Sequence, residues 1–151
     1  MIAPGGSSMD VAKVIAALVP SRQSIAQIYG VGNVRGNRLP LIQVPTTAGT
    51  GSEVTPIAII TTGETTKTGI VSPQLLPDVA LLDAELTVGL PPHVTAATGI
   101  DAMVHAIEAY TSKIKKNTYS DLLAREALRL LSSHLVTAVK QGDNLAARQS
   151  M

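Results

Sequence analysis

Hydrophobic positions in the first part of the chain form one helical stripe and several short apolar runs. Val11, Val14, Ile15 and Leu18 recur at i, i+3, i+4 and i+7, the spacing of one helix face. Ser7 or Ser8 can cap that helix, Asp10 suits its positive N-terminal end, and Pro20 ends it. Ahead of it, Met1-Ile2-Ala3 reads as the tail of a strand entering the turn Pro4-Gly5-Gly6-Ser7-Ser8. Residues 25–29 suit a short helical turn, whereas Gly30-Val31-Gly32-Asn33 is a loop by composition. Strands are expected at 41–44, stopped by Pro45, at 57–61 and 67–72 around a turn at Gly63, and at 79–82, closed by Asp83. Residues 46–55 are too polar and Gly-rich for a buried element.

After Gly89 the period changes to that of helices. Pro91-Pro92 opens a helical region that runs through residues 100–110. A long amphipathic helix is expected over 120–140, with Leu123, Ala127, Leu130, Leu131 and Leu135 on one face and an end near Gly142. Asp143 can cap a further helix, which the chain is expected to leave incomplete. The predicted fold is therefore α/β over residues 1–88, followed by an all-helical region over 89–151. There is no internal repeat.

Composition narrows this picture. The 151 residues would fit one ordinary domain, yet the only aromatics are Tyr29, Tyr110 and Tyr119. The core must then be aliphatic, as in parallel sheets covered by helices. A net charge of +1 leaves no electrostatic footprint for nucleic acid. The absence of cysteine excludes disulfides, thiolate zinc sites and cysteine nucleophiles. No apolar run approaches the ~20 residues needed to span a bilayer, and no signal peptide is evident. A cytoplasmic protein without a membrane partner is expected.

Three segments carry candidate chemistry. In Pro4-Gly5-Gly6-Ser7-Ser8-Met9-Asp10, a Gly-rich turn entering a helix can bring backbone N–H groups to a pyrophosphate, although an ordinary strand-to-helix turn fits equally. The fingerprint G-x-G-x-x-G is absent. Thr46, Thr47, Thr50, Ser52 and Thr55 can offer hydroxyls to phosphate or ribose, or form a solvated loop. Asp101 and His105, at i and i+4, project from one helix face, where a carboxylate oxygen and an imidazole nitrogen can share a divalent cation or simply pair. His93 and His134 have no comparable partner, Glu108 suits an exposed helix position, and Lys113, Lys115 and Lys116 suit a solvated loop.

Taken in order, these segments resemble the iron-containing (group III) alcohol dehydrogenase family. The matching stretches are Gly5-Gly6-Ser7-x-x-Asp10-x-Ala12-Lys13, Pro45-Thr46-Thr47-Ala48-Gly49-Thr50-Gly51-Ser52-Glu53-Val54-Thr55 and Lys67-x-Gly69-Ile70. Leu76-Pro77-Asp78-Val79-Ala80 and Ala97-Thr98-Gly99-Ile100-Asp101-Ala102-x-x-His105-Ala106-Ile107-Glu108-Ala109-Tyr110 continue the series. Each motif is weak alone, and the ordered set is specific.

The resemblance implies a dehydroquinate-synthase-like fold, with a Rossmann-like nucleotide domain, a helical domain and the site in the cleft between them. It implies hydride transfer between a small alcohol, or in reverse its aldehyde or ketone, and the nicotinamide of NAD or NADP, with a divalent metal, Fe(II) or Zn(II). Gly5, Gly6, Ser7 and Asp10 would then hold the pyrophosphate. Thr46, Thr47, Thr50 and Thr55 would line the cofactor cleft with Lys67 nearby, and Asp101 and His105 would be metal ligands. The resemblance names no separate catalytic base and admits a homo-oligomer. Maleylacetate reductases and glycerol dehydrogenases fit the region around Asp101 less well.

Two departures matter. Pro4 stands where the family has the first of three glycines, which removes one N–H donor. The family also draws two further metal-binding histidines from beyond position 151, and its first nucleotide-binding unit precedes Met1. The chain thus reads as an internal fragment of such an enzyme. The alternative is a non-catalytic fragment with at most weak nucleotide or subunit binding.

Overall fold

The computed structural model describes residues 6–151, so the predicted strand tail at Met1-Ile2-Ala3 and the turn residues Pro4 and Gly5 lie outside the described residues. The chain divides into two compact units. One comprises residues 6–46 with Gly51–Leu82, and the other comprises Thr47–Thr50 with Asp83–Met151. The division falls earlier than the change of composition at Gly89. It also assigns a short piece of the Thr-rich loop to the helical unit.

The first unit is built around helix α1 (Gly6–Ser21). Pro20 lies inside the last turn rather than ending the helix. Proline cannot donate to the carbonyl of Ala16, and the Leu39 N–H takes that acceptor instead at 2.9 Å. The helix closes through Arg22, which adopts a left-handed φ of 57° while its N–H donates to the Leu18 carbonyl. The inward face differs from the predicted stripe. Met9, Ala12, Lys13, Val14, Ala16 and Ala17 are buried, whereas Val11 and Ile15 are exposed. Small alanines let the helix approach its neighbours closely, so bulk alone misidentified the face.

After α2 (Ile25–Ile28), strand β1 (Gly30–Val31) occupies what composition reads as a loop. It pairs in parallel with β4 (Thr66–Val71), which runs antiparallel to β3 (Ile57–Thr62), giving the order β1-β4-β3. Two residues, one of them a glycine and the next after them another, have no strand signature of their own. The pairing comes from the distant β4, whose Val71 carbonyl also receives the Gly32 N–H at 2.8 Å. The β3–β4 hairpin follows the predicted pattern, with Gly63 at φ 70° in its turn. Strand β2 (Ile42–Gln43) pairs in parallel with β5 (Val79–Ala80). Both are shorter than the apolar runs that predict them. The core comprises Val14, Ala17, Ile28, Val34, Ala58, Ile70 and Leu75, with a second cluster of Ala12, Ala16 and Leu41. It is aliphatic, as the shortage of aromatics requires.

Arg38 closes the entry to β2. Its guanidinium donates to both Asp78 oxygens at 2.6 and 2.8 Å, and to the Leu39 and Leu76 carbonyls. That fork and the Leu41 N–H hold the Asp78 carboxyl down to about 2.

The helical unit consists of α3 (Pro92–Thr111), α4 (Thr118–Lys140) and α5 (Leu145–Gln149). Pro92 occupies the first helical turn, where its missing N–H has no cost. Asn117 caps α4 by accepting from the Ser120 N–H at 2.9 Å, while Ser120 Oγ accepts from the Asn117 N–H. The buried positions of α4 are Ala124, Leu131, Leu135 and Ala138; Leu123, expected on that face, is exposed. Gly99 allows α3 to pack tightly there, because a Cβ would lie 2.4 Å from Leu135 Cδ1. The cap of α5 is Asn144, one residue beyond the predicted Asp143, and its side chain accepts from the Ala147 N–H at 3.0 Å. No helix among the described residues is long and apolar enough to cross a membrane.

Candidate nucleotide-binding and metal-binding residues

Gly5 lies outside the described residues, and Gly6 and Ser7 open α1, with Ser7 exposed. Asp10 is buried, and both of its oxygens are engaged inside the unit. Oδ1 accepts from the Ser52 hydroxyl at 2.7 Å and Oδ2 from the Ile59 N–H at 2.9 Å. A carboxylate used in this way ties α1 to the 3₁₀ turn Ser52–Val54 and to β3.

Lys13, whose role the sequence did not disclose, completes the same lock. Its ammonium is fully buried and donates to the Thr55 carbonyl at 2.9 Å, the Thr55 hydroxyl at 3.2 Å and the Ile57 carbonyl at 2.8 Å. Burial pushes its pKa down to about 8, against the opposing pull of Asp10 and Glu53. The available signal was a lysine three residues after an aspartate within an apolar helix. Thr55 is thus hydrogen-bonded to Lys13, and Thr46 is half-buried at the end of its segment. Thr47 and Thr50 are half-buried and belong to the helical unit. Lys67 is exposed on β4, opposite Thr61.

Asp101 and His105 lie one turn apart on α3, both about half exposed. His105 Nε2 is 3.9 Å from Asp101 Oδ1. Adjacent ligand atoms around a tetrahedral metal with ~2.1 Å bonds lie about 3.4 Å apart, so a small rotamer adjustment lets both reach one cation. The other imidazole nitrogen, Nδ1, is 3.3 Å from the Gly49 carbonyl, within the same unit. An oxygen donor and an imidazole whose second nitrogen meets a carbonyl fit a divalent metal. They fit as two donors. Among the described residues no group of three or more His, Cys, Asp or Glu could hold an ion.

The remaining candidates stand apart from this pair. His93 and Glu108 are exposed and His134 is half-buried on α4. Lys116 donates to Asp121 at 2.7 Å and to the Tyr110 carbonyl, and lies over the Tyr110 ring, so it fastens the α3–α4 loop. Arg148 is buried, donates to the Gly142 carbonyl and approaches Thr87 Oγ1 at 3.5 Å.

Comparison with known proteins matches this arrangement of α/β unit and helices. The profile of the iron-containing alcohol dehydrogenases matches residues 4–84, and that of the C-terminal region of the Fe-containing alcohol dehydrogenase family matches residues 95–151. The chain belongs to the iron-containing alcohol dehydrogenase family. It is 46% identical over 148 residues to the probable alcohol dehydrogenase EutG of Escherichia coli K12, covering 97% of this chain and 37% of that protein. Among solved structures, a 1,3-propanediol oxidoreductase superposes with a TM-score of 0.93 at 40% identity, over 99% of this chain and 39% of the other. The sulfoacetaldehyde reductase of Bifidobacterium kashiwanohense, solved in complex with NAD+, gives 0.90 at 40% identity, over 99% of this chain and 40% of the other. The fold is accordingly the dehydroquinate-synthase-like one. The chain spans about two fifths of the length of the relatives it matches.

Proposed function

We propose that this chain supplies nucleotide-binding and metal-binding residues of a metal-dependent alcohol dehydrogenase, which transfers hydride between a small alcohol and NAD or NADP. The observation that carries the reading is the Asp101–His105 pair on α3, with Nε2 facing the carboxylate and Nδ1 against a carbonyl. Family membership and an NAD+-bound relative support the cofactor assignment. Fe(II) is the favoured metal from the family, with Zn(II) as the substitute, and a small alcohol or its aldehyde or ketone is the partner. A cytoplasmic location and a homo-oligomer accompany this reading.

Each side chain then has a defined task. Asp101 Oδ1 and His105 Nε2 hold the metal, which when bound supplies Lewis-acid polarisation of the substrate oxygen. Gly6 and Ser7 offer backbone N–H groups at the start of α1 to the pyrophosphate. Asp10, Lys13 and Thr55 act one step removed, by fixing α1 to Ser52–Val54 and β3. Thr46, Thr47, Thr50 and Lys67 line the dinucleotide path, and the hydroxyls and ammonium orient ribose and phosphate oxygens. The division at Leu82/Asp83 supports a nucleotide part and a helical metal part.

Reduced cofactor produced by the purified chain, supplied with Fe(II) or Zn(II), NAD+ or NADP+ and a primary alcohol, is the test of whether these residues suffice for turnover. The turnover should fall at least a hundredfold in Asp101→Asn. A second reading, a non-catalytic chain with weak nucleotide or subunit binding, is favoured by the presence of only two donors among the described residues. No turnover, together with no metal retained after dialysis, would decide for it. Robust turnover would remove it.

A further inference from the structure

We propose that the Gly49 carbonyl is the positioning group for His105, setting its tautomer and ring orientation, and that only glycine at this position lets the loop reach the ring. The inference rests on the metal reading above. A carbonyl oxygen only accepts, so in the 3.3 Å contact the hydrogen must sit on Nδ1. A neutral imidazole carries one N–H. Its lone pair is then on Nε2, the nitrogen that faces Asp101 Oδ1. Asp101 Oδ1, 3.9 Å from Nε2, is beyond hydrogen-bond distance, so on this half-exposed ring the Gly49 carbonyl is the hydrogen-bond acceptor that decides the tautomer. A histidine left to solvent prefers the opposite tautomer, with the hydrogen on Nε2, which would point an N–H at the metal position.

The need for glycine follows from the backbone. A Cβ on Gly49 would lie 2.8 Å from the Thr98 carbonyl oxygen and 2.9 Å from Thr98 Cβ. Neither atom can yield easily. The carbonyl belongs to the backbone of α3, and the Thr98 hydroxyl is anchored to the Val94 carbonyl at 3.0 Å. A side chain at 49 must therefore push the Thr47–Thr50 loop off α3. His105 lies two turns along that same helix, and its 3.3 Å bond would open. Thr47 and Thr50 flank this glycine, so the loop proposed to meet the dinucleotide also holds a metal-binding histidine in register.

Nitrogen-15 spectra of the metal-free chain at pH 8 report the tautomer directly. His105 is expected with its hydrogen on Nδ1, and exposed His93 serves as the solvent reference. Hydrogen on Nε2 in the wild-type chain would overturn the proposal. In Gly49→Ala the hydrogen should move to Nε2, and Zn(II) affinity, followed through the same signals, should fall about tenfold or more. An unchanged tautomer and affinity would also overturn it. Should Gly49→Ala fail to fold, the wild-type tautomer alone decides. The metal reading fails separately, through the absence of any Zn(II) response at His105. That result with Nδ1–H intact would remove the purpose assigned to Gly49.

Discussion

Asp10 and Ser52, 42 positions apart, share a buried hydrogen bond of 2.7 Å from the hydroxyl to the carboxylate. With the Ile59 N–H on its other oxygen, Asp10 joins the first helix to the loop and strand that follow the Thr-rich segment. Hydrogen bonds to a buried carboxylate contribute about 1.5–3 kcal/mol each. Asp10→Ala should therefore lose on the order of 3 kcal/mol in urea unfolding, and Asp10→Asn distinctly less. If Asp10 instead met the pyrophosphate directly, Asp10→Ala would weaken nucleotide binding without lowering the unfolding midpoint.

Lys13 gives the chain an alkaline signature. The folded chain releases this proton near pH 8, the unfolded chain near the ordinary 10.5. Between those values the unfolded state binds more protons, so stability rises with pH. Subtracting the unfolding profile of Lys13→Met from that of the wild type should isolate a positive slope in this window. Lys13→Met should itself be destabilised by about 2 kcal/mol, because the Thr55 and Ile57 carbonyls lose a buried donor. A difference profile that is flat from pH 8 to 10.5 would contradict the assignment.

At the acid end, the Arg38–Asp78 fork sets the opposite trend. With the carboxyl held at about 2 by Arg38 and the Leu41 N–H, its contribution is fully present above the usual carboxylate range. It is lost as pH falls from about 4 towards 2. Asp78→Asn should remove that part of the acid sensitivity and leave the neutral-pH slope unchanged. Because the pair lies at the surface, added salt should diminish the effect.

Gly99 makes a packing prediction. Gly99→Ala places a methyl 2.4 Å from Leu135 Cδ1, and overpacking of this kind costs about 1–3 kcal/mol. The double variant Gly99→Ala/Leu135→Ala should be less destabilised than the sum of the two single variants, since the smaller residue at 135 makes room. Strict additivity in calorimetry would argue that α3 and α4 separate to relieve the contact.

What could be read from the sequence depended on how local its cause was. The β3–β4 hairpin, α3 and α4 follow from periodicity and turn residues close in the chain. Gly30–Val31 did not announce itself, because its strand character comes from Ile70 and Val71. The inward face of α1 was misread because burial there favours alanine and a fully bonded lysine over Val11 and Ile15. The same limit governs the site. Asp101 and His105 are one helical turn apart and were visible as a pair. Gly49, the carbonyl beside them, is 56 positions from His105 and offered no side chain to notice. The inward turn of Asp10 likewise required Ser52 and Ile59.

The buried amine of Lys13 is also a built-in chemical reporter. No reagent can touch it in the closed structure, whereas the amine of Lys67 is exposed. Acylation at Lys13 must wait for α1 to lift from Thr55 and Ile57, whereas Lys67 reacts at once. The ratio of the two labelling rates therefore measures how often this helix comes away from its loop, a motion that hydrogen-bond distances in a static fold do not record.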